Sequence, residues 1–365
     1  MTGSGLRQFF LCARSLRRLP SDWDRSAEFS AFCERYEHEL AEWLSAFAAD
    51  LGNASAYCGK PKHVPELEDR VHEVFSRAGM DADFPRIEYR PALCLTHDVD
   101  YLRQTAQEVA KSMVARRRLP KLHGRKAYME SLRHLLEAEA ACGARAAATI
   151  FVAGTTAYLR GWRGPVSWLL DPAYRLDGEE ASWLLELFKE YGCEIGLHGS
   201  YHSSSDARSI ANQLEALRAF HGAPVLSARQ HWLRLADGAF GNLRACGIRT
   251  DSTLGWNNAA GFRCGMSRPF ALALAGGGEL AEVPMAVMDG AIFDSMKLDE
   301  DSALSLLCAI LSEVQRRGGC VALDWHERSA VLGWSRVYEA SLKWAASRGF
   351  RFLTVSEAAT EYAGL

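Results

Sequence analysis

The sequence predicts an α/β protein in which a barrel of parallel strands follows a helical segment. From Ala92 onward, short apolar runs alternate with helix-compatible segments, which is typical of repeated βα units. Three of the apolar runs end in His or Asp residues, in the segments 91–100, 193–202 and 320–327. Because active sites of parallel barrels lie at the carboxyl ends of the strands, this pattern predicts one site on one rim.

The first ninety residues are expected to form a helical extension, and residues 91–365 to form the barrel. The clearest helical stretch of the extension is 26–52, which begins after a Ser- and Asp-rich start and stops at Gly52. The sequence shows no internal repeat and no low-complexity linker, so the barrel is predicted from the alternation of strands and helices alone.

Eight apolar runs are candidate strands: 92–97, 146–153, 193–198, 225–231, 247–251, 281–287, 320–325 and 350–355. Between them, helices are expected at 127–142, 181–191, 207–221 and 302–317. Seven or eight strands over about 270 residues fit one α/β barrel better than two domains.

Composition indicates an ordinary globular protein of 365 residues, with 48% hydrophobic and 24% charged residues. The net charge of −3 provides no basic surface for DNA or RNA, so a nucleic-acid partner is not expected. The ten cysteines have no paired spacing and are expected to be reduced. No apolar run approaches the ~20 residues of a transmembrane helix or resembles a signal peptide. A cytoplasmic location is therefore expected, although membrane-surface docking through the first twenty residues stays open, as does the oligomeric state.

The motif THDVD closes the first apolar run. Alternation along a strand places Thr96, Asp98 and Asp100 on one face and His97 on the other. Two carboxylates so close together are stabilised in their ionised form by a nearby cation, which favours one as a metal ligand and leaves the other as a base. The alternative is a solvated turn.

His198 and His202 follow the third strand candidate with a spacing of four residues. This spacing lets both imidazoles reach one ion, although a purely structural pair is an equal alternative. With one aspartate they supply the ligands of an open catalytic site, for which zinc or a similar divalent ion such as cobalt is expected.

The segment ALDWHE places Asp324 and His326 on one side of the late strand. A histidine across the site from an activated water is suited to act as a general acid, because its pKa lies near working pH. The alternative is a core histidine with a structural role.

The order of the motifs resembles that of the polysaccharide deacetylase family (NodB homology, carbohydrate esterase family 4). The motifs are DVD, HxxxH, an arginine-bearing strand and a late strand that ends in His. The resemblance runs from about Ala92 to Glu357 and includes the closing segment 349–359. It implies a distorted (β/α)7-type barrel and the metal-dependent hydrolysis of an N-acetyl group on a sugar. The first motif is THDVD where the family has TFDD, which indicates a variant subgroup.

The resemblance also implies roles for individual residues. Asp98 corresponds to the catalytic base and His326 to the catalytic acid, and Arg229 resembles the arginine that holds the base. The implied metal ligands are Asp100, His198 and His202.

Other candidates are less specific. His231 either contacts substrate or packs, because the usual Arg-x-Pro is replaced by RQHW. Asp251 and Asp324 compete as the residue that orients the acid. Arg263 either binds an anionic group or has a structural role, and Trp325 either stacks on a sugar or packs in the core.

The expected function is therefore a hydrolase that removes an N-acetyl group from an amino sugar of a polysaccharide, glycoconjugate or sugar precursor. The expected partner is an acylated amino-sugar substrate. Two alternatives stay open: a deformylase or deacylase acting on a lipid-linked or natural-product sugar, and a non-catalytic carbohydrate-binding protein on the same barrel.

Overall fold

A computed structural model describes residues 3–52, 62–106, 108–110, 113, 121–154 and 174–365. In these ranges, ten strands form one curled sheet whose order is β6-β7-β5-β4-β3-β2-β1-β9-β8, and β10 pairs with β1. The strands are β1 Ala92–Val99, β2 Ala148–Ala153, β3 Glu194–Gly199, β4 Ser227–Gln230, β5 Thr250–Asp251, β6 Phe270–Ala273, β7 Glu279–Glu282, β8 Met285–Met288, β9 Cys320–Asp324 and β10 Arg351–Phe352. All neighbours are parallel except β6 and β7. The predicted fold class is confirmed, in the form of a curled half-barrel with helices before it.

The helices of the described ranges are α1 Gly3–Leu16, α2 Ala27–Arg35, α3 Glu37–Gly52, α4 Glu66–Arg77, α5 Ala127–Ala141, α6 Glu179–Tyr191, α7 Ala207–His221, α8 Ala239–Ala245, α9 Glu300–Arg317, α10 Ser335–Ser347 and α11 Val355–Ala358. The four helices predicted between strands agree with α5, α6, α7 and α9 to within two residues. None of the described helices is long and apolar enough to cross a membrane.

The central strands are buried on both faces, and β1 and β9 are apolar until they reach the rim. All eight residues of β1 are buried. Leu93 and Leu95 pack outward among the residues of α9 and α10, whereas Ala92 and Cys94 pack in a separate cluster that includes Phe151 and Met285. Such strands lack a simple polar–apolar alternation, which explains why the sequence shows them as continuous apolar runs.

The sheet differs from the prediction in two places. The candidate strand 281–287 is divided into β7 and β8, and Pro284, which has no N–H to donate to a ladder, lies between them. The antiparallel strand β6 was not predicted; it is only four residues long. Two predicted strands, β5 and β10, are only two residues long.

The N-terminal helices pack against the β6 end of the sheet. Trp43 and Phe47 of α3 are stacked, and Phe47 meets Phe270 of β6 edge to face at 5.9 Å between ring centroids. Buried polar contacts accompany this apolar cluster, including Glu68 Oε2, which accepts a hydrogen bond from the Ser267 hydroxyl at 2.6 Å. The helices and β6 therefore share one hydrophobic cluster.

Candidate active site

The parallel strands deliver their polar residues to one rim of the sheet. Asp98 and His198 are the second-to-last residues of β1 and β3, and Asp324 is the last residue of β9. Asp100, His231, Asp289 and His326 lie one or two residues beyond their strands. A cavity of about 360 Å³ opens at this rim and is lined by several of these side chains, among them Asp98, Asp100, His198, His231 and His326.

Asp98 is held by the fully buried guanidinium of Arg229, whose Nη1 donates to Asp98 Oδ1 at 2.9 Å. The same Nη1 donates to Asp324 Oδ1 at 2.8 Å. Burial alone would raise the pKa of Asp98, but Arg229 and the neighbouring imidazoles outweigh burial and hold that pKa below its usual value. Asp98 is therefore an ionised carboxylate at the cavity wall.

Asp324 lies behind Asp98 and has a different electrostatic environment. It is fully buried, and burial together with the charge of Asp98 raises the pKa of Asp324 to about 7. Its Oδ1 accepts hydrogen bonds from the backbone N–H of Asp98 and the hydroxyl of Thr96, at 3.2 Å each. Through these hydrogen bonds, Asp324 fixes the positions of the Asp98 backbone and the Arg229 guanidinium.

Asp100, His198 and His231 form a group that could hold a metal ion, with ligand atoms all within 4.8 Å of one another. His198 Nε2 lies 3.6 Å and His231 Nε2 3.2 Å from Asp100 Oδ1. His198 Nδ1 lies 3.1 Å from the carbonyl oxygen of Arg229, which can only accept, so the ring proton is on Nδ1 and the Nε2 lone pair is free.

The donor atoms fit a divalent cation. His198 Nε2 and Asp100 Oδ1 are buried, and neither makes a hydrogen bond of acceptable geometry within the part of the chain that the structure describes. Such buried polar atoms are costly unless they are paired or bind a metal. Burial alone would raise the pKa of Asp100, but His231 and Arg328 outweigh it and hold that pKa well below its usual value.

His202 is not in this group. It lies in the turn after β3, where its Nδ1 is 3.3 Å from Nη1 of Arg234, and its ring packs edge-on against Tyr201. The structure therefore brings His231 rather than His202 to Asp100 and His198, which differs from the ligand set that the family resemblance implies.

Arg328 and Glu327 complete the rim beside Asp100. Arg328 Nη1 donates to Asp100 Oδ2 at 3.0 Å and to Glu327 Oε1 at 3.1 Å. Glu327 in turn accepts hydrogen bonds from the backbone N–H groups of Asp100 and Tyr101. These bonds fix the chain that carries Asp100 after β1 ends.

His326 is oriented by Asp289, which follows β8. Asp289 Oδ1 lies 2.6 Å from His326 Nδ1, and Oδ2 accepts the backbone N–H of His326 at 2.9 Å. Burial alone would lower the pKa of His326, but the carboxylate of Asp289 outweighs it and raises that pKa well above its ordinary value. The ring therefore presents a protonated Nε2, 3.7 Å from Asp100 Oδ2, on the cavity side.

Neither residue predicted to orient the acid is its closest partner. Asp324 Oδ2 lies 3.6 Å from His326 Nδ1, a full ångström farther than Asp289 Oδ1. Asp251 is buried elsewhere and accepts hydrogen bonds from the N–H and hydroxyl of Thr253. Asp289 was missed, although it comes directly after the buried strand β8, just as Asp100 comes directly after β1.

Neither Arg263 nor Trp325 is among the residues that line the described cavity. Arg263 is fully buried and donates to the carbonyl oxygens of Asp50 and Gly255, so it connects α3 to the loop after β5. Trp325 is fully buried and stacks on Tyr338 at 4.9 Å, because alternation points it to the helix side of β9.

The sequence matches no protein-family model, and no curated protein matches it. Comparison with solved structures does find neighbours. A protein from Mycobacterium smegmatis that is named as a polysaccharide deacetylase has 20% identity and a TM-score of 0.52, over 76% of this chain and 95% of that one.

Two other neighbours superpose less well. One from Pseudomonas aeruginosa, also named as a polysaccharide deacetylase, has 14% identity and a TM-score of 0.47, over 74% of this chain and 90% of its own. A CE4 family pseudoenzyme from Bacillus anthracis has 13% identity and a TM-score of 0.40, over 74% and 65% of the two chains. With a TM-score of 0.52 at 20% identity, the neighbour from Mycobacterium smegmatis shows the fold alone.

Proposed function

We propose that this chain is a metal-dependent hydrolase that removes an N-acetyl group from an amino sugar. The observation that carries the proposal is the pairing of a base with an acid at one cavity. Asp98 Oδ2 lies 3.8 Å from His198 Nε2, and His326 Nε2 lies 3.7 Å from Asp100 Oδ2. A carboxylate and an imidazolium therefore flank the group of residues that fits a cation.

Each of the two flanking groups has the protonation state that its role needs. Asp98 is ionised because of Arg229, and accepts a proton from the attacking water. His326 is protonated because of Asp289, and donates a proton to the leaving amine. When bound near Asp100 and His198, a divalent ion such as zinc supplies Lewis acidity toward the acyl carbonyl and the water.

The cavity suits a small glycan unit. Its volume of about 360 Å³ is in the range of small-ligand sites. Trp232 lines the cavity and is 47% exposed, so its ring offers a stacking surface for a sugar. Asn257 and Lys297 add polar groups to the same wall. A single acylated amino-sugar residue is therefore the proposed unit of recognition.

The direct test is acyl release by the purified chain loaded with zinc. N-acetylglucosamine, its oligomers, a nucleotide-linked N-acetylglucosamine and the N-formyl analogue are incubated with it, and acetate and formate are measured. We expect acetate release that stops with a chelator and returns with zinc. If only the N-formyl analogue is hydrolysed, with release of formate, the enzyme is a deformylase and not a deacetylase. Sugar binding without release of either acid would contradict a catalytic function.

A further inference from the structure

We infer that the third protein ligand of this metal site is His231, and that His202 does not bind the ion. The inference rests on the proposed metal-dependent function and specifies the ligands of the same site. It departs from the HxxxH pair, His198 and His202, to which the sequence points. Three independent features of the structure lead to it. They are the position of His231, the turn that follows His231, and the contacts of the two ring nitrogens of His202.

The position of His231 follows from strand pairing. His198 of β3 is the lateral partner of Arg229 on the parallel strand β4, so these two side chains share the inner face. Two residues further along, His231 returns to that face at the rim. The rings of His198 and His231 are 4.9 Å apart, and both Nε2 atoms lie near Asp100 Oδ1, at 3.6 and 3.2 Å.

These separations match a common ion. With ligand bonds of about 2.0–2.2 Å, the donor atoms of a tetrahedral zinc site lie about 3.3 Å apart. The distances from Asp100 Oδ1 to the two imidazole nitrogens bracket that value. The two distances to Asp100 thus fit a tetrahedral site, and all three ligand atoms lie within 4.8 Å of one another.

The turn after β4 holds His231 at the rim. Trp232 and Leu233 have φ values of 60° and 50°, in the left-handed region that non-glycine residues rarely adopt. Leu233 is buried inside the sheet, and the carbonyl oxygen of Trp232 accepts a hydrogen bond from Asn257 Nδ2 at 2.6 Å. A strained turn that is anchored on both sides is typical of functional sites.

The contacts of His202 work against metal binding. Arg234 Nη1 lies 3.3 Å from His202 Nδ1, and a guanidinium can only donate, so Nδ1 is the acceptor. In the neutral ring the proton is then on Nε2, and neither nitrogen has a lone pair available for a metal. Arg234 also packs over Tyr201 at 4.3 Å, so its positive charge is held beside His202 and would repel a divalent cation.

The test replaces each histidine by cysteine in the full-length chain and loads the protein with Co²⁺. A thiolate bound to cobalt gives an intense near-ultraviolet charge-transfer band. We expect this band in His231→Cys and not in His202→Cys or the wild type. Zinc titration supplies the affinities: His231→Ala should weaken binding by about 100-fold or more, and His202→Ala by less than about threefold.

The opposite pattern, with the band or the large loss at position 202, would overturn the inference. His231→Asp replaces the imidazole nitrogen by a carboxylate oxygen that can also bind zinc, so this variant should bind zinc more tightly than His231→Ala. Equal affinities would also contradict the assignment. A wild type that binds neither metal would overturn both this inference and the proposed function. Metal binding through His231 without acyl release would leave the inference standing and remove the function.

Discussion

At the scale of single residues, Asp98 and Asp324 show how position sets the role of a carboxylate. Both bind the same Nη1 atom of Arg229. Asp98 lines the cavity and its pKa is held below the usual value, whereas the pKa of the fully buried Asp324 is raised to about 7. Both carboxylates are buried, but Asp98 lines the cavity and is thus available as a base, whereas Asp324 fixes the arginine.

We expect Asp98→Asn to lower kcat by about 10²–10⁴-fold, because the amide cannot accept the proton of the attacking water. Zinc content should stay at the wild-type level, since Asp98 is outside the Asp100–His198–His231 group. Acetate release and elemental analysis on the same preparation measure the two effects. Turnover close to that of the wild type would remove Asp98 from the role of base.

Asp289 is proposed as a positioning residue that acts through His326. Asp289→Asn removes the negative charge that stabilises the protonated ring of His326. The rate of hydrolysis with an amine leaving group should therefore fall by about 10²–10⁴-fold. Release of 4-nitrophenolate from its acetate ester needs no protonation and should fall much less.

The comparison of amide and ester hydrolysis also distinguishes the role of the acid from that of the base. His326→Gln should show the selective loss expected of Asp289→Asn, and Asp98→Asn should lose both activities. An equal loss of amide and ester hydrolysis in Asp289→Asn would point to a general disturbance of the site.

At the scale of elements, β5 and β7 place two carboxyl groups side by side. Asp251 and Glu282 are lateral partners on these parallel strands, and both are fully buried. Burial and the neighbouring Asp251 raise the pKa of Glu282 well above its ordinary value. The folded chain therefore keeps a proton on Glu282 that the unfolded chain releases.

This difference makes the free energy of unfolding depend on pH. The stability contributed by protonated Glu282 is complete below about pH 4.5 and declines as pH rises toward the folded-state pKa, by up to ~1.4 kcal/mol per pH unit. Glu282→Gln should flatten this decline, because its amide carries no proton to release. Urea unfolding between pH 5 and 8 measures it.

The exposed Glu215→Gln on α7 is the matched control and should keep the wild-type slope. The slope of Glu282→Gln need not vanish, since burial also raises the pKa of Asp251. Identical slopes in Glu282→Gln and the wild type would show that Glu282 does not hold its proton in the folded chain.

At the scale of the whole molecule, we propose that residues 1–90 form a helical extension on the barrel of residues 91–365. The extension and β6 share a hydrophobic cluster, and Arg263 donates to the backbone of α3. Such contacts should make the extension and barrel unfold together in one transition.

Phe270→Ala tests this coupling, because Phe270 is fully buried where β6 meets α3. We expect it to lower the free energy of unfolding by about 3–5 kcal/mol. Circular dichroism and tryptophan fluorescence should still report one shared midpoint. Leu122→Ala, at a side chain that is 76% exposed, should change stability by less than about 0.5 kcal/mol. Two separate transitions in the wild type would contradict the coupling.

The sequence by itself determined the strands that carry the site. Apolar runs that end in polar residues indicated β1, β3 and β9. A strand that is buried on both faces is apolar at successive positions until it reaches the rim. Alternation along β1 was also sufficient to separate Asp98 and Asp100 from His97, which binds Glu139 and the backbone of Trp325 on the helix side.

Only the tertiary structure decided which residues meet across strands. Asp289 reaches His326 because β8 lies next to β9, and His231 reaches Asp100 because β4 curls toward β1. His202 is nearer to His198 in sequence, yet Arg234 occupies its Nδ1. The spacing of two residues in one segment shows only whether their side chains can approach each other locally. Metal ligands and acid–base pairs come from different strands, so they depend on the strand order, the register and the hydrogen bonds of each ring nitrogen.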